Sequence, residues 1–339
     1  MEEYKYLVSI RCMTYNQSPY IKEALDGFVM QRTHFPFLAV IVDDASTDCE
    51  QDIIKAYVGE NFYLSVDNGY KAWETDDAKW VLASHKENEN CNFLVVFLKT
   101  NLYGNPKKYE LIREWCDTKY IALCEGDDYW TDPLKLQKQV DYMEVHEDCV
   151  MCSHAVFWET KGEMNRWGCQ YEYQCNLTTD EVIREGGLYI ATCSLLFRKE
   201  LDEDRPEWRK LSRVGDFPLQ ILGTLRGDLH FFPELMGVYR FQRPGSFTDF
   251  HNTVHLDYAR NQIESLELLD AETGHAYLKA INTHLYMWYH PLYLAKEIKT
   301  VKYLFVGINS YGKFPKVVKD IFNRKFHLLY IVYSKLRSI

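Results

Sequence analysis

The chain has 339 residues, 47% hydrophobic and 15% aromatic, with a formal net charge of −10. That length and apolar content suffice for one large domain with an appendage, or for two domains. The acidic balance argues against a general nucleic-acid binder, which needs a basic face to neutralise phosphates; it leaves room for a small phosphate-bearing ligand, because a bound cation can mediate between carboxylates and phosphates.

Tyr6–Met13 (YLVSIRCM) predicts a buried first strand. Thr14–Pro19 (TYNQSP) follows as a loop in which Ser18 caps a helix starting at Pro19, a residue suited to the first helical position. Ile21, Ala24, Leu25 and Phe28 continue that helix at helical spacing. Leu38–Val42 predicts a second strand, ending in Asp43 and Asp44, with a helix near Glu50–Tyr57 after it. Strand-helix-strand-helix is the signature of a parallel sheet covered by helices. Residues 59–92 are less regular and predict an elaborated surface segment. Phe93–Leu98 is a third strand, Tyr109–Cys116 a helix, and Tyr120–Cys124 a fourth strand running into the acidic turn Glu125-Gly126-Asp127-Asp128. Asp132-Pro133 restarts a helix through Leu136, Val140 and Met143. Val150–Phe157 and Tyr189–Phe197 are further strand candidates, and from about His251 the pattern is helical to the end.

Three polar clusters stand just after the carboxyl ends of expected parallel strands: Thr14-Tyr15-Asn16, Asp43-Asp44 and Glu125–Asp128. In open α/β sheets ligands bind outside those ends, so clusters far apart in sequence are expected to share one crevice. Glu125, Asp127 and Asp128 put three carboxylates within four residues, and like charges that close repel unless a cation or hydrogen-bond donors offset them. Mg²⁺ and Mn²⁺ favour such oxygen ligands and bind one or two carboxylates together with substrate phosphates. The same residues would also serve as a solvated cap of the helix near Asp132, and Asp43-Asp44 as caps of the helix that follows them. In the functional reading Asp43 and Asp44 recognise a base or ribose, and Tyr15 stacks on the base.

Taken together, Val8-Ser9-Ile10 with Thr14-Tyr15-Asn16, Val42 through Asp48, and Glu125-Gly126-Asp127-Asp128-Tyr129-Trp130 resemble glycosyltransferase family 2 in order and spacing across roughly the first 245 residues. The resemblance implies an α/β GT-A (Rossmann-like) fold, with a mixed, mostly parallel sheet, flanking helices and a helical C-terminal appendage. It implies a nucleotide-sugar donor, most often UDP-linked, and inverting transfer. Tyr15 and Asp44 would contact the nucleoside, and Glu125, Asp127 and Asp128 would form the family's metal motif, with Asp127 the expected direct ligand of Mn²⁺ or Mg²⁺. Inversion needs a base to take the acceptor's proton. Asp216, in Arg213-Val214-Gly215-Asp216-Phe217-Pro218, fits the place of that carboxylate; it would equally cap the helix it precedes. Tyr189–Arg198 resembles the acceptor-side strand, where Thr192 and Ser194 are candidates; His154 is a further one. Tyr239–Ser246 resembles a segment that closes over the diphosphate. Gln242 stands where relatives often carry His, and Arg240 or Arg243 would supply the charge.

This reading divides the chain into a GT-A domain over 1–248 and a helical region over 249–339 for acceptor, membrane-surface or oligomer contacts. The acceptor would be a hydroxyl of a glycan or lipid-linked sugar, as in surface-polysaccharide assembly. The tail, residues 299–339, mixes Lys and Arg with aromatic and aliphatic residues. Such a segment either lies on an anionic membrane or packs on the catalytic domain or a second subunit. The first residues show no basic-then-apolar signal, and no run approaches the ~20 apolar residues that span a bilayer. The expectation is therefore a cytoplasmic protein, peripheral to the membrane if the tail binds lipid. The ten cysteines predict reduced, buried thiols, and Cys149-x-x-Cys152 lacks the second pair of a zinc ribbon. Gly307–Phe314 nearly matches a P-loop, but Phe314 replaces the hydroxyl residue that holds Mg²⁺. A dinucleotide fingerprint is absent, which counts against a dehydrogenase. A nucleotidyltransferase would want a Gly- and Arg-rich loop after the first strand. The alternative from another class is a non-catalytic nucleotide-sugar-binding or scaffolding protein on the same fold.

Overall fold

Two adjacent parallel strands set the frame: β1 (Val8–Thr14), mostly buried although Ser9, Arg11 and Thr14 interrupt its apolar residues, and β2 (Phe37–Asp43), nearly continuous in apolar sequence and buried at every residue. A parallel strand covered by helices on both faces needs that composition. The computed structural model describes residues 4–166, 168–241, 243 and 256–295. They fall into two compact units. One comprises Met1–Thr178, Gly187–Arg205 and Leu219–Phe250; the other comprises Thr179–Gly186, Pro206–Pro218 and His251–Ile339. The helical unit thus takes in two short segments from the middle of the sequence as well as the C-terminal residues.

The first unit is built on one sheet. Its remaining strands are β3 (Lys71–Glu74), β4 (Ala78–Ser84), β5 (Cys91–Leu98), β6 (Tyr120–Leu123), β7 (Tyr129–Trp130), β8 (Cys149–Thr160), β9 (Glu163–Arg166), β10 (Cys175–Leu177), β11 (Leu196–Arg198) and β12 (Asp228–Arg240). The order is β10-β12-β8-β11-β6-β1-β2-β5-β4-β3, with β7 on β12 and β9 on β8. The centre, β6-β1-β2-β5, is parallel. β4 runs antiparallel to β5, and β11 lies antiparallel between β6 and β8. Thr14 stands opposite Asp43 and Arg11 opposite Leu123. The carboxyl ends of β1, β2 and β6 therefore lie side by side.

Helix α1 (Ile21–Val29) buries Ile21, Ala24, Leu25 and Phe28, the residues at helical spacing. Phe28 meets Trp130 edge-on, with ring centroids 5.2 Å apart. Gly27 lets α1 approach this closely, because a Cβ there would lie 2.9 Å from the Trp130 backbone nitrogen. Helices α2 (Glu50–Asn61), α3 (Lys107–Leu111) and α4 (Lys135–Val145) complete the elements that frame the site.

Several expectations need correction. α1 starts at Ile21, and Ser18 does not cap it; the Ser18 amide instead donates to Asp48 Oδ2 at 3.0 Å. Residues 59–92, expected as a less regular surface segment, include the β3–β4 hairpin, which extends the sheet beyond β5. The expected helix over Tyr109–Cys116 is the short α3 followed by a 3₁₀ turn, Arg113–Cys116. Within Tyr189–Phe197, residues Thr192–Ser194 form a 3₁₀ turn and only Leu196–Arg198 is strand. Carbonyls there bond to side chains instead of a strand partner: Cys193 accepts from Trp130 Nε1 at 2.7 Å and Ser194 from Gln139 Nε2 at 3.0 Å.

In the second unit, Ser265 Oγ donates to the Trp208 carbonyl at 2.7 Å, and Asn261 bonds both the Leu211 carbonyl and the Arg213 amide. These bonds fasten Glu207–Leu211 to the helix Leu256–Glu272. A second long helix, Leu278–Leu294, buries His284 beside Phe217. The P-loop-like run and the basic tail lie outside the described residues. Among those described, no helix is long and apolar enough to cross a membrane. All ten cysteines are free thiols and eight are buried; Cys149 and Cys152 hold their sulfurs 3.7 Å apart.

Candidate active site

The acidic turn is stitched onto β1 as it leaves β6. The Cys124 amide donates to Arg11 O at 3.2 Å and the Gly126 amide to Met13 O at 3.2 Å. Gly126 sits in a cradle made by Thr14 and Gln17. A Cβ at Gly126 would stand 2.5 Å from Gln17 Oε1, 2.8 Å from Thr14 Cβ and closer still to Thr14 Oγ1. The Gln17 amide end can swing away, but Thr14 Cβ is fixed to its strand. Gly126→Ala is therefore expected to cost about 1–3 kcal/mol of stability, as overpacking of a closed site does. A thermal melt checks this; an unchanged melting temperature would contradict the packing.

Glu125 is exposed, Asp127 half-buried and Asp128 buried, and one ligand atom from each lies within 4.8 Å of the others. Asp128 Oδ1 accepts the Arg240 amide at 2.8 Å, while Oδ2 is buried with no hydrogen-bond partner among the described residues. Burial first, and then the charges of Asp127 and Glu125, hold the Asp128 carboxyl well above the usual carboxylate range. An orphaned carboxylate oxygen, two neighbouring carboxylates and an all-oxygen donor set fit a hard divalent cation.

The nucleoside-side candidates line the adjacent strand ends. Thr14 closes β1 and Asp43 closes β2; neither lies in a loop. Asp43 Oδ1 accepts from Gln51 Nε2 at 2.6 Å and the Ser46 amide at 3.2 Å, while Oδ2 is buried without a hydrogen-bond partner among the described residues. Burial raises this carboxyl's pKa. Asp44 donates its amide to Thr14 O, and its carboxylate takes the Leu102 amide at 2.5 Å and faces Lys108 Nζ at 3.3 Å. Tyr15 is 44% exposed, free in area to stack on a flat ligand. Asn16 adopts a left-handed backbone (φ 52°); its amide donates to Ser46 Oγ and its side-chain oxygen accepts the Thr47 amide.

The two arginines divide. Arg240 is buried and fully engaged. It pairs with Glu23 and with Glu159 (3.1 Å), donates to the Asp127 carbonyl at 2.6 Å, and stacks over Tyr20 and Tyr129. That arrangement makes it a brace behind the turn, not the open phosphate contact that the sequence suggested. Arg243 Nε meets Asp127 Oδ2 at 2.5 Å, so a cationic group already sits against the expected metal ligand.

The acceptor-side candidates are more deeply set. His154 is buried in β8; its Nδ1 donates to the Ala155 carbonyl at 2.9 Å, and burial pushes its pKa down to about 3, so the ring is neutral. Ser194 is buried and donates to the Ala191 carbonyl; Thr192 is buried in the same turn. Asp216 belongs to the other unit, where it opens the helix Asp216–Arg226 and its Oδ1 accepts the Phe217 amide at 2.8 Å. Sequence reading missed Glu50 and Gln17, which sit under the strand ends. It also missed Lys135, whose buried Nζ lies 3.8 Å from the Trp130 ring centre and has no hydrogen-bond partner among the described residues. Burial lowers the Lys135 pKa to about 7.

Solved structures with the same fold include S. aureus TarS 1–349 in complex with UDP-GlcNAc. It matches with a TM-score of 0.56 at 17% identity, over 92% of this chain and 82% of that one. Sheet order, flanking helices and the position of the acidic turn at the end of β6 define a fold of the GT-A class. A family model for glycosyl transferase family 2 matches residues 9–73. The uncharacterized protein Rv1520 of Mycobacterium tuberculosis is 30% identical over 291 residues, spanning 83% of this chain and 73% of its own. TuaG of Bacillus subtilis, named as a teichuronic acid biosynthesis glycosyltransferase, is 27% identical over 143 residues, 42% of this chain and 44% of that protein. The chain belongs to glycosyltransferase family 2.

Proposed function

We propose that this chain is an inverting glycosyltransferase. It takes a sugar from a UDP-linked donor and places it on a hydroxyl of a glycan or lipid-linked acceptor in surface-polysaccharide synthesis. The observation that carries this reading is the acidic turn. Three carboxylates with ligand atoms within 4.8 Å of one another, one of them holding a buried oxygen with no hydrogen-bond partner among the described residues, stand beside the ends of β1 and β2. Glu125, Asp127 and Asp128 would hold Mn²⁺ or Mg²⁺, which neutralises a diphosphate leaving group. Thr14, Tyr15, Asn16, Asp43 and Asp44 would bind the nucleoside, and Arg243 would exchange Asp127 for the diphosphate. Asp216 would take the proton from the acceptor hydroxyl as that oxygen bonds to the anomeric carbon. His154, Thr192 and Ser194 would shape the acceptor side from beneath. The UDP-GlcNAc complex of TarS and the name of TuaG support the choice of donor and pathway type.

The test is a panel of UDP- and GDP-sugars, titrated with and without Mn²⁺ and assayed for donor hydrolysis. The expected result is metal-dependent binding and slow hydrolysis of at least one UDP-sugar. Binding without any turnover, with or without acceptor, would favour a non-catalytic sugar-nucleotide binder; no binding at all would refute the reading.

A further inference from the structure

Glu50 lies in the first turn of α2 and is fully buried, an unusual position for a carboxylate. A glutamate in a first helical turn ordinarily points to solvent and gains only from the helix dipole. Here the carboxylate turns away from its own helix. Oε2 accepts the Gln17 amide at 2.9 Å and the Ser46 hydroxyl at 2.8 Å, and Oε1 makes a short contact with the Thr14 hydroxyl. Capping of α2 is left to others: Cys49, at its N-cap, makes no side-chain cap bond, and Asp48 Oδ1 takes the Glu50 amide at 3.3 Å.

The three partners of Glu50 belong to different walls of the crevice. Thr14 ends β1, Gln17 lies in the loop after it, and Ser46 lies in the loop after β2. Ser46 Oγ also receives the Asn16 amide at 2.9 Å. Thr14 and Gln17 are, in addition, the two side chains against Gly126 of the acidic turn, and Thr14 Oγ1 lies 2.8 Å from Gln17 Oε1. One buried carboxylate therefore holds both nucleoside-side loops and, through Thr14 and Gln17, the seat of the turn.

We propose that Glu50 is a positioning residue that sets the acidic turn in register with the loops after β1 and β2. It touches neither donor nor metal. The inference rests on the reading of this crevice as the donor site, but its first test needs no ligand. Backbone amide exchange is followed over residues 124–128 in wild-type protein, Glu50→Ala, Glu50→Gln and Ile54→Ala. Ile54 lies on the same helix, fully buried in the core and outside the crevice, and so reports general destabilisation. Glutamine can rebuild the network: its oxygen accepts from Gln17 and Ser46, and its amide donates to Thr14.

The expected result is exchange in the turn at least about tenfold faster in Glu50→Ala than in Ile54→Ala, whose change reflects only its loss of global stability, and within about threefold of wild type in Glu50→Gln. Titration with UDP and Mn²⁺ should follow the same order, with affinity weakened about tenfold only in Glu50→Ala. Turn exchange in Glu50→Ala that matches wild type or Ile54→Ala would overturn the proposal. Wild-type protein that ignores UDP and Mn²⁺ would instead refute the donor-site reading, while the exchange result still decides the role of Glu50.

Discussion

Asp127→Ala is expected to abolish Mn²⁺-dependent binding of UDP and its sugars, with a loss of at least about 100-fold. Residues that merely orient a metal ligand already cost about 10–100-fold when removed, and Asp127 is the carboxylate that combines access with position. Glu125 is exposed and Asp128 is buried with one oxygen on the Arg240 amide, whereas Asp127 is half-buried at the surface of the turn. The same substitution bears on stability through two opposed effects. It breaks the Asp127–Arg243 pair, whose side chains are only 14% and 9% exposed, and removing one partner of a buried pair costs about 3–5 kcal/mol. It also removes a charge that raises the pKa of Asp128. Relief of that repulsion lowers the net cost, so the variant should stay folded with a depressed melting temperature. Isothermal titration with UDP at saturating Mn²⁺ and with Mn²⁺ alone reads the binding; a melt reads the fold. Unchanged metal-dependent affinity in the folded variant would remove Asp127 from the ligand set and shift it to Glu125 or Asp128.

What the sequence made legible follows from burial on two faces. β2 and β5 are parallel and covered on both sides, so their residues are apolar almost without interruption and stand out as runs, and β1, though broken by Ser9 and Arg11, is still mostly buried. The acidic and polar clusters were legible because they begin where those runs stop. β3 was not, because it is an edge strand with three of four residues exposed, and its Lys71-Ala72-Trp73-Glu74 carries no clear hydrophobic period. The stretch from Tyr189 misled for the opposite reason. A short buried apolar run has no period to tell strand from turn, and Trp130 and Gln139 supply the partners that a neighbouring strand would otherwise provide. Ser18 looked like a cap because the sequence does not show that the helix starts only at Ile21, with Tyr20 at its N-cap, while the Ser18 amide is tied to Asp48 of another loop. Glu50 and Arg240 share that cause. A helix-start glutamate and an arginine at a strand end look ordinary in sequence, and only tertiary contacts show one buried under the crevice and the other clamped between Glu23, Glu159 and Asp127.

Asp216→Asn separates two roles that a sequence cannot separate. As a cap, Asp216 accepts the Phe217 amide through Oδ1, and asparagine accepts the same bond and ranks with aspartate at helix starts. The variant should therefore melt within about 0.5 kcal/mol of wild type, whereas Asp216→Ala should lose about 1 kcal/mol. As a base, the carboxylate must take a proton from the acceptor hydroxyl, and an amide cannot. Positioned general bases contribute about 10²–10⁴-fold, so Asp216→Asn should lower kcat for transfer by about 1,000-fold with an unchanged Kd for UDP and Mn²⁺. Hydrolysis of the donor by water should fall as well if the same carboxylate activates water. Full transfer by Asp216→Asn, with Asp216→Ala affected only in its melt, would leave Asp216 a helix cap and require the proton to go to another group. The two substitutions are expected to divide the proposed roles: alanine at 127 should remove donor binding before any chemistry, and asparagine at 216 should leave a loaded enzyme that fails to deprotonate its acceptor.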